Sequence, residues 1–196
     1  MPIYNAPLAD MQFILNDVFN ASAFWQQHPK LAHLDSATAN AILEEMAKFS
    51  QNVTLPLNRS GDEHGAQFDA GTVTTPEGFK AAFEQYAQGG WLGLGADEEW
   101  GGQGMPKMLT VLSDEMLFAT NPSFTLYSLL SVGAGLALAS YASQQQKQTY
   151  LPKMYSGEWA GTMCLTEPHA GTDLGIIKTK AEKNSDGSYN ITGTKI

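Results

Sequence analysis

The hydrophobic period of this chain changes once, near Gly157, and that change limits the folds open to it. Before it, apolar residues recur at helical spacing; after it, short stretches alternate as strands do. Leu8 to Phe19 carries Met11, Ile14, Leu15, Val18 and Phe19 as one helical stripe. Asp35-Ser36 can cap a helix through Ala37–Phe49, with Ile42, Met46 and Phe49 on one face. Thr75-Pro76-Glu77 supplies a hydroxyl cap, a proline at the first helical position and an acid in the first turn. A helix from Pro76 to about Gln88 is expected there. Pro106–Ala119, Pro122–Tyr141 and Gln144–Lys153 read as three more helices, the last stopping near Leu151-Pro152. Leu55 to Val73, punctuated by Pro56, Gly61, Gly65 and Gly71, reads as a loop.

Beyond Gly157, Ala160–Thr166 is small, apolar and uncharged, a strand pattern, and Ile176–Lys183 alternates. Asn184-Ser185-Asp186-Gly187 is a turn from which Tyr189–Ile196 returns as a second strand. The expected fold is mainly α: an all-α domain over residues 1–157, then a β part over residues 158–196. That β part is too short to bury a core of its own, so it reads as the incomplete start of a domain.

Composition removes several function classes. A net charge of −9 without any Lys/Arg cluster argues against nucleic-acid binding, which needs a basic patch to replace phosphate counterions. One cysteine, Cys164, excludes a disulfide framework and fits a reducing compartment. The opening residues lack the basic and apolar regions of a secretory signal, so the cytoplasm is the expected location. The uncharged run between Glu115 and Lys147 contains Asn121, Ser123, Thr125, Ser128 and Ser131. It is read as a buried helix and not as a membrane span. Its small residues Gly133, Ala134 and Gly135 either pack closely in a core or leave room for an apolar ligand tail.

Most motifs reduce to ordinary structure. Gly93-Leu94-Gly95 fails as a dinucleotide fingerprint because Glu98 holds the third glycine position and no strand precedes it. His28, His33, His64 and His169 lie in separate segments without metal-ligand spacing. Glu98-Glu99 reads as a solvated turn. Met163 to Asp173, MCLTEPHAGTD, is different because several features converge. Thr166 offers a hydroxyl at a strand end, Pro168 stiffens the exit, and Ala170-Gly171 lets a ligand approach the backbone. Thr172 adds a second hydroxyl with Asp173 behind it.

The same stretch, MCLTEPHAGTDLG, resembles the flavin-binding signature of the acyl-CoA dehydrogenase family, with its TEPxAGSD-like core. GLGADEEWGGQGMP is similar to that family's glycine-rich loop. QKQTYLPKMYSGEWAGTMCLTEP follows its order of helix, Leu-Pro-Lys, Gly-Glu and signature, and KTKAEKNSDGSYNITGTKI resembles the entry to its middle β-domain. The opening MPIYNAPLADMQFILNDVF and the loop PLNRSGDEHGAQF resemble one branch, the 3-methylmercaptopropionyl-CoA dehydrogenase-like proteins.

The resemblance implies an N-terminal all-α domain followed by the first strands of a truncated β-barrel-like middle domain. It implies FAD as cofactor. Met163, Cys164 and Leu165 would present backbone groups to the isoalloxazine edge, and the Thr166 hydroxyl would bond the same ring. Ala170, Gly171 and Thr172 would lie by the flavin pyrophosphate, with Thr172 also near the thioester substrate. Thr172 stands where serine is common and keeps the hydroxyl; His169 falls at a variable position. The implied reaction is α,β-dehydrogenation of an acyl-CoA: a carboxylate base takes the α proton and a hydride passes to the flavin. Glu115 and Glu167 match no base position, so no catalytic residue is named and the base is expected outside this chain. The chain alone is expected to be inactive and to bind FAD weakly or not at all. Electron-transfer flavoprotein is the implied acceptor, and the intact enzyme is implied to be a homo-oligomer. A reading from another class stays open: a non-enzymatic helical interaction module whose strand tail completes a partner's sheet.

Overall fold

In the computed structural model, which describes residues 3–196, helix starts follow the capping residues. Met1 and Pro2, which begin one of the quoted motifs, lie outside the described residues. Helix α1 (Leu8–Phe13) widens into a single π turn, Ile14–Val18, so the Leu8–Phe19 stripe is helical throughout. A short α2 (Ala21–Trp25) precedes α3 (Ser36–Phe49), where Asp35 Oδ1 accepts the Thr38 N–H at 2.7 Å. Leu43, Met46 and Phe49 of α3 are buried.

A second π turn, Ser50–Thr54, leads into α4 (Leu55–His64), which replaces the expected loop. Three features that read as breaks are compatible with a helix here. Pro56 is the second residue of α4, which follows directly on the π turn. Gly61 admits the Phe79 ring, since a Cβ on it would lie 2.6 Å from Phe79 Cζ. Gly65, at φ +63°, ends the helix. Strands β1 (Gln67–Asp69) and β2 (Thr72–Thr74) then pair antiparallel through a turn at Ala70 and Gly71, both at positive φ. The Thr75-Pro76 start signal is three residues early: α5 runs Phe79–Gln88, because Gly78 in front of it is left-handed.

Helices α6 (Lys107–Thr120) and α7 (Pro122–Tyr141) meet at a buried polar corner. Asn121, 0 % exposed, accepts the Phe124 N–H at 3.1 Å through Oδ1 and donates Nδ2 to the Thr54 carbonyl, also at 3.1 Å. The Thr54 and Thr120 hydroxyls pair beside it at 2.7 Å. One side chain thus caps α7 and ties it to the turn before α4. Helix α7, expected to be buried, is buried along one side only. Its inward residues are Phe124, Thr125, Ser128, Ser131 and Gly135, whereas Leu126, Leu129, Leu130, Val132 and Leu136 are exposed. By length and composition alone it is apolar enough to cross a membrane, with 28% of its most apolar window buried. Part of its small-residue patch serves packing: a Cβ on Gly135 would lie 2.9 Å from Tyr155 Cε1, and one on Gly161 2.5 Å from Ala134 Cβ. Helix α8 (Gln144–Tyr155) opens with a capping box at Ser143 and continues through Pro152, where a stop was expected.

The chain divides into two compact units between Gly161 and Thr162. Residues 160–166, which run across that division, have no regular secondary structure, because no partner strand supplies a ladder. Strand β3 (Lys180–Lys183) pairs antiparallel with β4 (Tyr189–Thr192), both shorter than the alternating stretches that contain them. All their residues are exposed, so this hairpin has no core of its own. The fold is mainly α with short strand pairs.

Candidate functional site

Glu167 and Ala170 exchange both backbone hydrogen bonds, at 2.9 and 3.0 Å, closing a tight turn around Pro168 and His169. Proline fits there because the position needs no donor. Ala170 is 1 % exposed with both backbone groups engaged, so anything it offers a ligand is shape. Just after the turn, Asp173 Oδ1 accepts the Gly175 N–H at 2.9 Å and starts a 3-10 turn, Leu174–Ile176. Gly171 comes back beside Thr166: a Cβ on it would stand 3.7 Å from Thr166 Cγ2. Thr166, Gly171 and Thr172 are therefore gathered on one exposed patch.

Met163, Cys164 and Leu165 form the exposed approach, with Met163 68 % exposed. The Cys164 thiol has the Thr162 hydroxyl at 3.7 Å. Two carbonyls of this run are taken. Leu165 O accepts Lys195 Nζ at 2.9 Å, and Thr166 O accepts the Ile196 N–H at 3.0 Å. The N–H groups of Leu165 and Thr166 meet no acceptor among the described residues. At Leu165–Thr166 the two amides and the Thr166 hydroxyl remain free, while the Met163 and Cys164 carbonyls before them also meet no donor among the described residues.

The residue that organises the turn was seen in the sequence only as an acid matching no base position. Glu167 is buried, its side chain 2 % exposed. Oε2 accepts the Lys178 N–H at 2.8 Å, while Oε1 accepts the Thr179 N–H at 2.9 Å and Lys195 Nζ at 3.0 Å. His169 Nε2 lies 3.4 Å from Oε2. The Thr179 hydroxyl, the Lys178 amide, the Lys195 ammonium and the Thr179 amide together hold this carboxyl far below the usual carboxylate range, against the opposing effect of burial. The Thr179 hydroxyl lacks full hydrogen-bond geometry, so the two amides and the ammonium do the fixing. Its partners are 11, 12 and 28 residues away, which no local pattern could reveal.

The helical unit has a separate cavity of about 220 Å³, lined by Met46, Tyr86, Leu92, Met105, Leu129 and Ser113 among others. The Ser113 hydroxyl is buried without a partner among the described residues. Asp114, half-buried at the same cavity, has its carboxyl raised by burial and partly lowered again by Lys107. Burial, then the charge of Asp114, pushes the Tyr86 phenol up. The glycine-rich stretch nearby is closed on itself: Gln103, Gly104 and Met105 donate their N–H groups to Gly93, Ala96 and Leu94. A Cβ on Gly102 would overlap the Ala96 carbonyl, so that glycine answers to packing. No group of three His, Cys, Asp or Glu residues among those described could hold a metal.

Residues 36–158 match the model of the acyl-CoA dehydrogenase N-terminal domain, and the chain belongs to the acyl-CoA dehydrogenase family. It is 38% identical to the 3-methylmercaptopropionyl-CoA dehydrogenase of Ruegeria pomeroyi over 196 residues, 98% of this chain and 33% of that protein. It is 32% identical to a broad-specificity linear acyl-CoA dehydrogenase of Mycobacterium tuberculosis, over 100% of this chain and 32% of that one. The chain thus spans about a third of the length of these curated relatives. Among solved structures, an acyl-CoA dehydrogenase from Bacillus anthracis, complexed with FAD, aligns at TM-score 0.69 and 27% identity, covering 84% of this chain and 27% of that one. Butyryl-CoA dehydrogenase of Megasphaera elsdenii aligns at TM-score 0.68 and 25% identity, covering 81% and 39%.

Proposed function

We propose that this chain supplies the N-terminal helical domain, residues 1–157, and the flavin-edge turn of an FAD-dependent acyl-CoA dehydrogenase. The observation that carries the reading is the donor edge at Leu165–Thr166, where both carbonyls are engaged and the amides and hydroxyl are free. The pyrimidine edge of an isoalloxazine presents its C2 and C4 carbonyl oxygens as acceptors on either side of the N3–H donor, so the free amides and hydroxyl suit those carbonyls. Gly171 supplies the second half of the fit, an exposed backbone position open to close approach by a pyrophosphate.

FAD, when bound, accepts the hydride released from the β-carbon of an acyl thioester. The residues of this chain hold and orient. Met163, Cys164 and Leu165 would line the ring edge, Thr166 would donate its hydroxyl to it, and Ala170, Gly171 and Thr172 would flank the pyrophosphate. Thr172 would also lie toward the thioester. Glu167 does not take the α proton, because both of its oxygens are already held by donors. We assign that proton to a carboxylate of the whole protein beyond this turn. Electron-transfer flavoprotein as acceptor, a homo-oligomeric assembly and a cytoplasmic location complete the proposal. Identity to acyl-CoA dehydrogenases along nearly the whole chain supports this reading over an interaction module.

Flavin fluorescence tests it. Titrating FAD with the 196-residue chain is expected to give weak, saturable quenching, and Thr166→Val to weaken it at least tenfold. A Thr166→Val chain that quenches flavin fluorescence as strongly as the wild type removes the reading.

A further inference from the structure

We propose that Glu167 is a positioning residue: it latches the signature turn to Lys195 and thereby keeps the Leu165–Thr166 edge a donor edge. The ligand named here rests on the flavin reading; the latch itself rests on geometry alone.

A carboxylate can accept about four hydrogen bonds, two at each oxygen. Glu167 receives two consecutive backbone amides, Lys178 and Thr179, one on each oxygen, so the run before β3 is clamped in the manner of a fork. Its third donor, Lys195 Nζ, is shared: the same ammonium reaches Leu165 O at 2.9 Å. The neighbouring residue, Ile196, covers Thr166 O. The charged and titratable groups facing Glu167 are Lys195 and His169. Burying a carboxylate so fully is costly unless every oxygen is satisfied, and here each one is.

The consequence lies along the strand edge. Without the Glu167 charge, Lys195, only a quarter exposed on its side chain, loses its counter-ion and moves to water. The Leu165 carbonyl is then bare, and Ile196 loses the tether that sets it against Thr166. An edge with two free carbonyls repels the acceptor atoms of a ligand that an edge of amides attracts. Glu167 therefore acts on a ligand through Lys195 without touching it.

The test uses Glu167→Gln, Lys195→Met and the double variant in the full 196-residue chain. Glu167→Gln should accelerate amide hydrogen exchange at Lys178, Thr179 and Ile196 at least tenfold, with α3 and α6 unchanged. Lys195→Met should keep Lys178 and Thr179 protected, shift the Leu165 carbonyl 13C resonance, and weaken FAD at least tenfold. The double variant should bind FAD no more weakly than Glu167→Gln, since both changes free the same carbonyl. Unaltered exchange in Glu167→Gln overturns the latch, as does an unmoved Leu165 resonance in Lys195→Met. The Lys195 variant leaves both amide clamps in place, so it decides the matter if Glu167→Gln disorders the hairpin. If the wild-type chain takes up no flavin while exchange and resonance behave as stated, the latch stands and the flavin reading falls.

Discussion

Gly171→Ala separates the needs of the fold from those of a ligand. A Cβ at this position meets only Thr166 Cγ2, at 3.7 Å, an ordinary van der Waals contact. Gly171 is also absent from the residues held at positive φ, so its backbone suits alanine. The substitution should leave stability unchanged or raise it by about 0.4–1 kcal/mol, through the narrower unfolded ensemble. A methyl group there nonetheless stands where a pyrophosphate must approach the backbone. A loss of 10- to 100-fold in FAD affinity is expected, about 1.4–2.8 kcal/mol. Urea midpoints by circular dichroism and FAD titration by fluorescence should be measured on the same samples. Equal loss of stability and affinity would show damage to the turn itself. Unchanged affinity would show that no ligand passes close to Gly171. Either result refutes the argument. Gly171→Val should deepen the affinity loss, whereas the helical unit's near-ultraviolet signal should remain that of wild type.

Other expectations concern the frame around the turn. Asn121→Ala removes the α7 cap and strands the Thr54 carbonyl, so urea unfolding should show a loss of about 2–4 kcal/mol, with Asn121→Ser intermediate. Gly61→Ala pushes a methyl into the Phe79 ring, and a lowered melting temperature should accompany loss of the Phe79 ring-current shifts. The folded pKa of Glu167 is lowered, so its contribution is present above about pH 4.3, the unfolded value, and is lost as pH falls toward the folded one. Its carboxyl 13C resonance should still be that of the ionised form at pH 3. Asp114 has the opposite sign: its folded pKa is raised, so its contribution is complete below about pH 3.9 and is lost as pH rises through the folded value. Asp114→Asn should therefore raise the urea midpoint at pH 7 and leave it unchanged at pH 3.

What could be read along the chain was what depends on near neighbours. Asp35 caps α3 through a residue three positions on, and the letters of MCLTEPHAGTDLG carry the family likeness by themselves. Most of the errors depend on residues distant in sequence; the late start of α5, set by the left-handed Gly78, is a local one. Gly61 and Pro56 read as breaks because the Phe79 ring that makes the glycine useful arrives with another helix. Helix α7 announces its apolarity, but burial is decided by what α6 and α8 lay against it, and they take the polar side. Residues 160–166 have strand composition, yet a strand needs a partner strand, and here they make only single hydrogen bonds, with Ser131, Lys195 and Ile196. Glu167 draws its meaning from amides and an ammonium that come much later in the chain.

Helix α7 also inverts the usual link between hydrophobicity and tolerance to substitution. Folding of this unit depends on Thr125, Ser128 and Ser131, which face inward, and draws little from Leu126, Leu130 and Leu136, which face out. Selection acting on folding alone would guard the hydroxyls and let the outward leucines drift toward polar residues. A lineage in which those leucines stay apolar is under a constraint that the packing of this helical unit does not impose.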